Sequence, residues 1–392
     1  MDPVHNPYSP GAGRRPAALV GRDAEIRSFD VLVHRATLAR TGQPMTLTGM
    51  RGVGKTVLLG ELASRAWTAG WIVSQVEAHA DNSAREPFTV TLARGLHTSL
   101  RALQPRTAGQ RFRQAMATFK SFSLKVDPSG GVSVGLDVEP ARGRADTGYA
   151  ETDLTELALD LAEAAADERA GVAVFVDEMQ NVGSDVLSAL CAAMHAAGQR
   201  NLPFYVVGAG LPSLPRLLAD AKSYSERLFD FRTIGHLDER EAAEALTAPA
   251  RLAGADWEMD AVRMVVAASG GYPYFLQEYG SAAWDAAPGP VIGVTDAQVA
   301  VVAGRNKLDG GFFRSRWDRA TRGEREYLAA MAVDAGVPSS SGEIGRRLGR
   351  VGGALGPTRA GLIAKGLVYA PEHGLIAYTV PGMAEFIARQ VG

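Results

Sequence analysis

Short apolar runs and longer helical patterns alternate along the first 236 residues of the chain. The apolar runs lie at residues 44–48, 71–76, 172–176, 203–207 and 231–234. Runs this short, bounded by turn residues, are typical of buried strands. Apolar residues recur at helical spacing in the segments between them, at residues 56–69, 88–103, 151–166 and 186–197. This alternation predicts an α/β fold of three layers, with a mainly parallel sheet between two layers of helices.

Three segments depart from the alternation and suggest further boundaries. Residues 1–17 are rich in Pro and Gly without apolar periodicity, so we expect a disordered leader. Polar and apolar residues alternate on either side of a turn-rich centre at residues 119–138, which predicts an inserted β-hairpin. The α/β core then spans residues 18–236, and the purely helical pattern of residues 237–314 predicts a separate helical segment.

The pattern changes again in the C-terminal module, residues 315–392. Thr321 followed by Glu324 is a capping box that predicts the start of a first helix. Two further short helices are predicted at residues 341–348 and 356–365, and two strands around a turn follow at residues 367–380. Three helices and a two-stranded wing predict a winged helix-turn-helix.

Residues 49–56 match the phosphate-binding motif G-x-x-x-x-G-K-[ST] at every position, between a predicted strand and a predicted helix. Glycines allow the backbone N–H groups of such a P-loop to face phosphate oxygens at a helix N-terminus. Lys55 supplies positive charge to the β and γ phosphates, and the Thr56 hydroxyl is offered to Mg²⁺. A glycine-rich turn without a ligand is the alternative. The motif predicts a site for ATP, ADP or another purine nucleotide with Mg²⁺, formed by Gly49, Arg51, Gly52, Val53, Gly54, Lys55, Thr56 and Val57.

Two acidic residues, Asp177 and Glu178, directly follow the apolar run at 172–176. Ligands of open α/β sheets bind at the carboxyl ends of the strands, and the P-loop follows its own strand at the same edge. We therefore predict that Asp177 is the Walker B carboxylate that holds the magnesium, and that Glu178 polarises the attacking water beside Lys55. Alternatively, the two acids only stabilise the N-terminus of a helix.

Composition adds constraints on the surroundings of the protein. The formal net charge of −2 argues against a chain that coats nucleic acid or anionic membrane with its whole surface. The single cysteine, Cys191, cannot form an internal disulfide, which fits a reducing cytoplasm. We find no signal-peptide pattern and no apolar stretch long enough to span a membrane, so we expect a cytoplasmic protein without membrane contact.

These motifs resemble the additional-strand P-loop ATPases, and more narrowly the bacterial AAA ATPases that are similar to origin-recognition initiators, with some STAND features. The resemblance spans most of residues 18–392 and implies an ATPase with a helical lid at residues 237–314. It implies that Val20, Gly21 and Arg22 lie beside the adenine, where a capped helix start is the alternative. Pro273, in a G-x-P motif of the lid, would touch the base. Arg227 matches an arginine finger offered to a neighbouring subunit, and an ordinary surface arginine is the alternative.

The sequence also departs from the pattern of that family. The run at 203–207 continues as Gly208-Ala-Gly210 and lacks the polar sensor side chain that many AAA+ proteins have there. The lid has no arginine in the usual second-sensor position close to Gly271. We therefore expect slow hydrolysis that serves as a switch, in preference to fast mechanical turnover.

The preferred hypothesis is an ATP-switched ATPase that binds duplex DNA through the winged helix, with self-association in the ATP state. The third helix would then enter the major groove, and the second would meet phosphates. A STAND-type signalling switch, in which the C-terminal module autoinhibits, is the first alternative, and an ATPase subunit whose module contacts protein is the second. The residues predicted to contact DNA are Arg346, Arg347, Arg350, Thr358, Arg359 and Lys365.

Overall fold

The computed structural model describes residues 1–79, 87–102, 109–132, 138–350 and 352–391. The chain forms two compact units, each described here by itself. The sheet unit consists of residues 24–48 and 58–233. The P-loop unit consists of residues 1–23, residues 49–57 and the chain from residue 234 onward.

A five-stranded parallel sheet forms the centre of the sheet unit, in the order β2-β3-β4-β1-β5. Each of the five predicted strands is present within about three residues of its expected position, and the predicted α/β fold is confirmed. The strands are β1 (Met45–Thr48), β2 (Ile72–Glu77), β3 (Val172–Asp177), β4 (Phe204–Gly210) and β5 (Asp230–Thr233).

Helices cover both faces of this sheet because the buried strands have apolar side chains on both sides. Val172, Val174 and Val176 of β3 face one buried apolar cluster, and the alternate residue Phe175 contacts Phe29 on the other face at a ring separation of 5.9 Å. The helices are α1 (Asp23–Thr37), α2 (Lys55–Thr68), α3 (Phe88–Ala102), α4 (Gln110–Val126), α5 (Ala150–Asp167), α6 (Ser184–Gln199), α7 (Leu214–Ala221) and α8 (Ser225–Leu228).

The β-hairpin expected at residues 119–138 is wrong in its first half, because residues up to Val126 belong to α4. Phe119 and Phe122 of this helix are buried in the core of the sheet unit. Their spacing of three places both rings on one helical face, although the same stretch also matches an alternating pattern. Residues 133–137, in the expected second strand, lie outside the described part of the chain.

The P-loop unit continues after β5 with a helical segment and the C-terminal module. The helical segment contains α9 (Glu239–Leu252), α10 (Met259–Ser269), α11 (Pro273–Ala286), α12 (Val294–Lys307) and α13 (Arg314–Asp318), with the two-residue parallel pair β6 (Asp256–Trp257) and β7 (Val291–Ile292). The C-terminal module contains α14 (Arg322–Ala332), β8 (Ser339–Ser340), α15 (Ser341–Arg347), α16 (Gly356–Ala364), β9 (Val368–Tyr369), β10 (Leu375–Tyr378) and α17 (Met383–Val391).

The elements of the C-terminal module occur in the order expected from the sequence. The Thr321 hydroxyl accepts from the backbone N–H of Glu324, whose carboxylate accepts from the N–H of Thr321, so the predicted capping box begins α14. The strands form a small antiparallel sheet in the order β8-β10-β9.

The leader expected to be disordered instead packs within the P-loop unit. Tyr8 is buried, and its hydroxyl donates to the Leu246 carbonyl at 2.5 Å and accepts from the Trp257 indole at 2.9 Å. The Asn6 amide donates to the Ser281 carbonyl at 3.1 Å. The expectation is wrong because these partners lie more than 230 residues away from the leader in the sequence. The composition of the leader alone does not indicate them.

Two observations bear on the expected surroundings of the protein. Cys191 is buried in α6, and burial raises the pKa of its thiol to about 11, as expected of an inert structural cysteine. Among the described residues, no helix is long and apolar enough to cross a membrane.

We expect Tyr8→Ala to lower the free energy of unfolding by about 3 kcal/mol, because it removes a buried ring and leaves the Trp257 indole without its partner. Urea denaturation followed by tryptophan fluorescence measures the change. Val4→Ala is the matched control, since Val4 is 87% exposed in the same segment. Equal stability of the Tyr8→Ala and Val4→Ala proteins would contradict the docked leader.

Candidate nucleotide site

The P-loop connects the end of β1 to the start of α2 and depends on glycine for two different reasons. Gly52 and Gly54 have φ angles of +86° and +94°, a region that residues with a Cβ rarely adopt. At Gly49 the constraint is space, because a Cβ there would lie 2.2 Å from the Ile234 carbonyl oxygen. The sequence motif therefore corresponds to a backbone curl that these glycines permit.

Charged side chains hold the loop by its carbonyl groups. The Lys55 ammonium donates to the carbonyls of Gly49 and Met50 at 2.9 and 2.8 Å. The Arg22 guanidinium, which is buried, donates to the carbonyls of Val53 at 3.0 Å and Gly235 at 2.8 Å. Arg22 thus stabilises the conformation of the loop. The position of residues 20–22 beside the adenine stays a prediction.

The Gly270-Gly271-Tyr272-Pro273 segment brings a second set of residues to the P-loop. Gly270 and Gly271 have φ angles of +58° and +70°, and a Cβ on Gly271 would lie 2.3 Å from the Leu237 carbonyl oxygen. Pro273 occupies the first turn of α11, where its missing N–H is not needed.

Tyr272 is a residue that sequence reasoning missed, although its neighbour Pro273 was singled out. It is only 1% exposed, and a Cβ on Gly52 would lie 3.0 Å from its hydroxyl oxygen. A tyrosine inside the G-x-P motif was the only available signal, and it does not show which way the ring points.

In the sheet unit, Asp177 ends β3 and Glu178 follows with φ of +49°. A left-handed backbone conformation costs a residue with a Cβ about 1 kcal/mol. Backbone strain of this size is often found at functional sites. The Glu178 carboxylate accepts from the Gln180 amide at 2.5 Å, and the Gln180 carbonyl oxygen accepts from the Leu211 N–H at 3.0 Å. Gln180, which sequence reasoning also missed, therefore ties Glu178 to the residue after β4.

Gly210 explains the missing sensor side chain on β4. A Cβ at this position would lie 2.6 Å from the Gln180 carbonyl oxygen and 2.8 Å from Leu214. The space that a larger side chain would need is filled by Gln180, which reaches the end of β4 from the turn that follows β3.

The sheet brings the ends of β1 and β3 to one edge. Both strands run parallel to β4, which lies between them, and Thr48 is in register with Gly210. The Asp177 carboxylate of the sheet unit and the Thr56 hydroxyl of the P-loop unit are oxygen donors of the kind that Mg²⁺ prefers, and the magnesium site expected from them stays a prediction. Within the described ranges there is no group of three or more His, Cys, Asp or Glu side chains that could hold a metal.

The remaining predicted site residues are spread over both units. Arg227 is exposed on α8 of the sheet unit. In the C-terminal module, Arg346 is 77% exposed and pairs with Glu343, and Arg350 lies 3.6 Å from Glu326.

The other basic residues predicted to contact DNA have partners inside the module. Arg347 forms a two-pronged pair with Asp334 at 2.6 and 2.8 Å, and Lys365 pairs with the buried Glu324 at 2.5 Å. Arg359 donates to the Leu375 carbonyl at 3.3 Å. Arg347 and Lys365 therefore contribute to the stability of the module.

We expect Gly49→Ala to weaken ATP binding at least tenfold, because its Cβ displaces the loop from the Ile234 carbonyl. Titration with a fluorescent ATP analogue measures the affinity. Gly60→Ala is the matched control, since this glycine lies inside α2 with no atom within 4 Å of an added Cβ. Equal affinities of the two variants would contradict the close approach at Gly49.

Comparisons with known proteins agree with the fold. Residues 18–207 match the AAA ATPase domain family, and residues 310–387 match a domain of unknown function (DUF8462). No curated protein matches the chain significantly. A Walker-type ATPase of Pyrococcus abyssi superimposes with a TM-score of 0.58 at 17% identity, over 95% of this chain and 97% of that one. At this identity the likeness shows the fold alone.

Two more distant structures also align. The Orc1 protein of Aeropyrum pernix, solved in complex with DNA, has a TM-score of 0.48 at 15% identity and covers 96% of each chain. The RuvB Holliday junction branch migration motor of Thermotoga maritima has a TM-score of 0.46 at 16% identity, over 93% of this chain and 95% of that one. These two scores are too low to carry an argument. The family match on residues 18–207, with the P-loop and the parallel sheet, identifies an AAA-type P-loop ATPase domain, and the protein is an ATPase.

Proposed function

We propose that the protein is a nucleotide-dependent switch that binds ATP with Mg²⁺, hydrolyses it slowly and transmits the state of the site to its C-terminal module. One contact within the P-loop unit carries this proposal. The N–H of Arg51, in the P-loop, donates to the carbonyl of Thr379, directly after β10, at 3.0 Å. A Cβ on Gly366 would also lie 3.2 Å from the Arg51 guanidinium. A loop that changes with the nucleotide therefore acts directly on the module.

In the proposed ATP site, the chain supplies binding, orientation and a proton acceptor. The P-loop amides and Lys55 bind the β and γ phosphates. When bound, Mg²⁺ neutralises charge on the phosphate oxygens, and Thr56 and Asp177 would hold it. Glu178 orients the attacking water and takes up its proton, and Gln180 positions the Glu178 carboxylate through their hydrogen bond. ADP and phosphate are the products.

Slow turnover is supported by the surroundings of Glu178. Its carboxylate already accepts a hydrogen bond from the neutral Gln180 amide. Gly208 and Gly210 of β4 supply no polar side chain toward the reacting phosphate. Exposed Arg227 is the candidate for an arginine finger, so hydrolysis would rise when a second copy of the chain docks in the ATP state.

We expect Lys55→Ala to abolish nucleotide binding, and Glu178→Gln to preserve binding while slowing hydrolysis about 10²- to 10⁴-fold, the usual contribution of a general base. Isothermal titration and phosphate release measure the two effects.

Glu168→Gln, at an exposed glutamate that ends α5, controls for the loss of one negative charge in the sheet unit. Hydrolysis by Glu178→Gln at the wild-type rate would refute the assignment of the base.

We propose that the ligand controlled by the nucleotide is duplex DNA. The C-terminal module, acting as a winged helix, would bind it in the cytoplasm. Helices α14 to α16 and the sheet of β8 to β10 have the order of that motif. From Arg314 onward the sequence has eleven Lys or Arg against seven Asp or Glu, an excess of four positive charges. Exposed Arg346 and Arg350 are free to exchange their surface carboxylate partners for phosphates, because such pairs are weak.

A specific observation also favours a protein partner as the second candidate. The exposed positions of α16, the helix expected to read bases, carry no charge; they are Gly356, Pro357, Ala360, Ile363 and Ala364. A surface of this composition fits the alternative in which the module contacts protein or holds the ATPase in a resting state.

We expect binding of a labelled random duplex to be tighter with a non-hydrolysable ATP analogue than with ADP, and to weaken as salt rises. Fluorescence anisotropy at two salt concentrations measures this. Exchanging Arg346 and Arg350 together for Ala lowers the salt slope by about two.

Arg263→Ala, at an exposed arginine of α10, is the control for the loss of positive charge elsewhere. The absence of binding in both nucleotide states would reject DNA and leave protein contact as the output.

A further inference from the structure

Two side chains from outside the P-loop motif, Tyr272 and Arg316, belong to the same compact unit as the P-loop, and Tyr272 lies against Gly52. Tyr272 precedes α11, and Arg316 belongs to α13, which leads from the helical segment into the C-terminal module. Neither is accounted for by the P-loop motif or by the Walker B acids.

The Tyr272 hydroxyl is buried without a hydrogen-bond partner among the described residues. Its oxygen would lie 3.0 Å from a Cβ on Gly52, so it faces the phosphate-binding backbone. Burial raises the pKa of Tyr272 far above its usual range, which keeps the proton on the oxygen. A buried hydroxyl without a partner costs about 1–3 kcal/mol, and folded proteins seldom leave one unless a ligand completes the bond.

Arg316 is a largely desolvated cation that has no carboxylate within ion-pair distance among the described residues. Its guanidinium lies 4.0 Å from the centre of the Phe312 ring and donates to the Phe312 carbonyl at 2.6 Å. Burial, together with the nearby positive charges of Arg51 and Arg319, lowers the pKa of Arg316 to about 10. Removing a cation from water among like charges is unfavourable unless an anion offsets the cost.

Ring contacts link the two groups. The Tyr272 ring, which lies against Gly52, contacts Phe275 at a centroid separation of 4.7 Å. Phe275 contacts Phe312, the ring that the Arg316 guanidinium covers, at 6.1 Å. The charges of Arg51 and Arg316 both act on Tyr272. An O–H donor, a planar guanidinium and a backbone that binds phosphate have one ligand chemistry in common, a phosphoryl anion. The terminal phosphate of a nucleotide carries the most charge and is the best match for an additional cation.

We propose that the Tyr272 hydroxyl and the Arg316 guanidinium bind the terminal phosphate of a nucleoside triphosphate held by the P-loop. This inference rests on the ATP site proposed above and adds the contacts that distinguish ATP from ADP. Because Arg316 lies at the entrance to the C-terminal module, hydrolysis removes a contact of that module, and ADP does not restore it.

A purely structural role is the alternative for both residues. In that case Arg316 only covers the Phe312 ring, and the Tyr272 ring only fills space beside Gly52. Replacement would then alter stability without changing the preference for ATP over ADP.

The test compares the affinities for a non-hydrolysable ATP analogue and for ADP, by isothermal titration of the full chain with Mg²⁺. For Tyr272→Phe we expect ATP-analogue affinity to fall roughly tenfold with ADP affinity unchanged, and a melting temperature no lower than that of the wild type, because the lost hydroxyl had no partner. For Arg316→Gln we expect a fall of about 10- to 100-fold for the ATP analogue only, the usual strength of a charge-assisted hydrogen bond. Arg316→Lys, which keeps the charge and loses the planar fork, recovers part of this loss.

Tyr378→Phe is the matched control, because Tyr378 is a buried tyrosine of the C-terminal module whose hydroxyl donates to the Leu328 carbonyl at 2.6 Å. It lowers the melting temperature and leaves the ratio of ATP to ADP affinity unchanged. If wild type binds both nucleotides and Lys55→Ala binds neither, but Tyr272→Phe and Arg316→Gln keep the wild-type ratio, this inference is overturned and the ATP site stands. Equal losses for ATP and ADP also overturn it. A wild-type protein that binds no nucleotide refutes the proposed function itself.

Discussion

The backbone of the P-loop has few partners of its own, and distant parts of the chain hold it in place. Its carbonyl groups accept from Arg22 and Lys55, and its Arg51 N–H donates to the C-terminal module. The close approach of Ile234 requires glycine at position 49. A loop with left-handed residues cannot satisfy its polar groups internally, so these partners decide its shape. The leader, the helical segment and the C-terminal module are therefore parts of one compact unit with the loop.

The charged residues of the proposed nucleotide site differ in sign between the two units. Cations lie in the P-loop unit, where Lys55, Arg51 and Arg316 suit a ligand with several negative charges. The acids Asp177 and Glu178 lie at the end of β3 in the sheet unit, and their proposed partners are a divalent cation and the attacking water. The strained backbone of Glu178 persists because its side chain is held by Gln180, and Gln180 has room because residue 210 is glycine.

Local sequence patterns predicted the helices, the strands and the motif residues. The features that these patterns did not predict depend on contacts between residues far apart in the chain. The strands could be predicted because a five-residue apolar run such as 172–176 is too short for a buried helix. Helical patterns between the runs also favour buried strands. Residues 119–126 fit both an alternating and a helical pattern, and only the packing of Phe119 and Phe122 in the core decides between them. The sequence does not distinguish Arg316 from a surface arginine, because its contact with the Phe312 ring and the nearby charge of Arg51 arise only in the folded chain. Gln180 and Tyr272 were missed for the same reason, because their contacts arise only in the tertiary structure.

The strength of the contacts limits what the nucleotide alone could do in the proposed switch. A ligand shifts an equilibrium only by its difference in affinity for the two states. One charge-assisted hydrogen bond to the terminal phosphate, about 1.5–3 kcal/mol, changes a population ratio by about 10- to 100-fold. Inverting a ratio of 1:99 takes about 10⁴-fold, so a tightly held resting state would need a second source of free energy. The Arg51 contact with Thr379 is well placed to contribute, because it couples the P-loop backbone to the module independently of Arg316. A partner bound to the C-terminal module would supply the remainder, and ATP and partner would then strengthen each other's binding by the same factor.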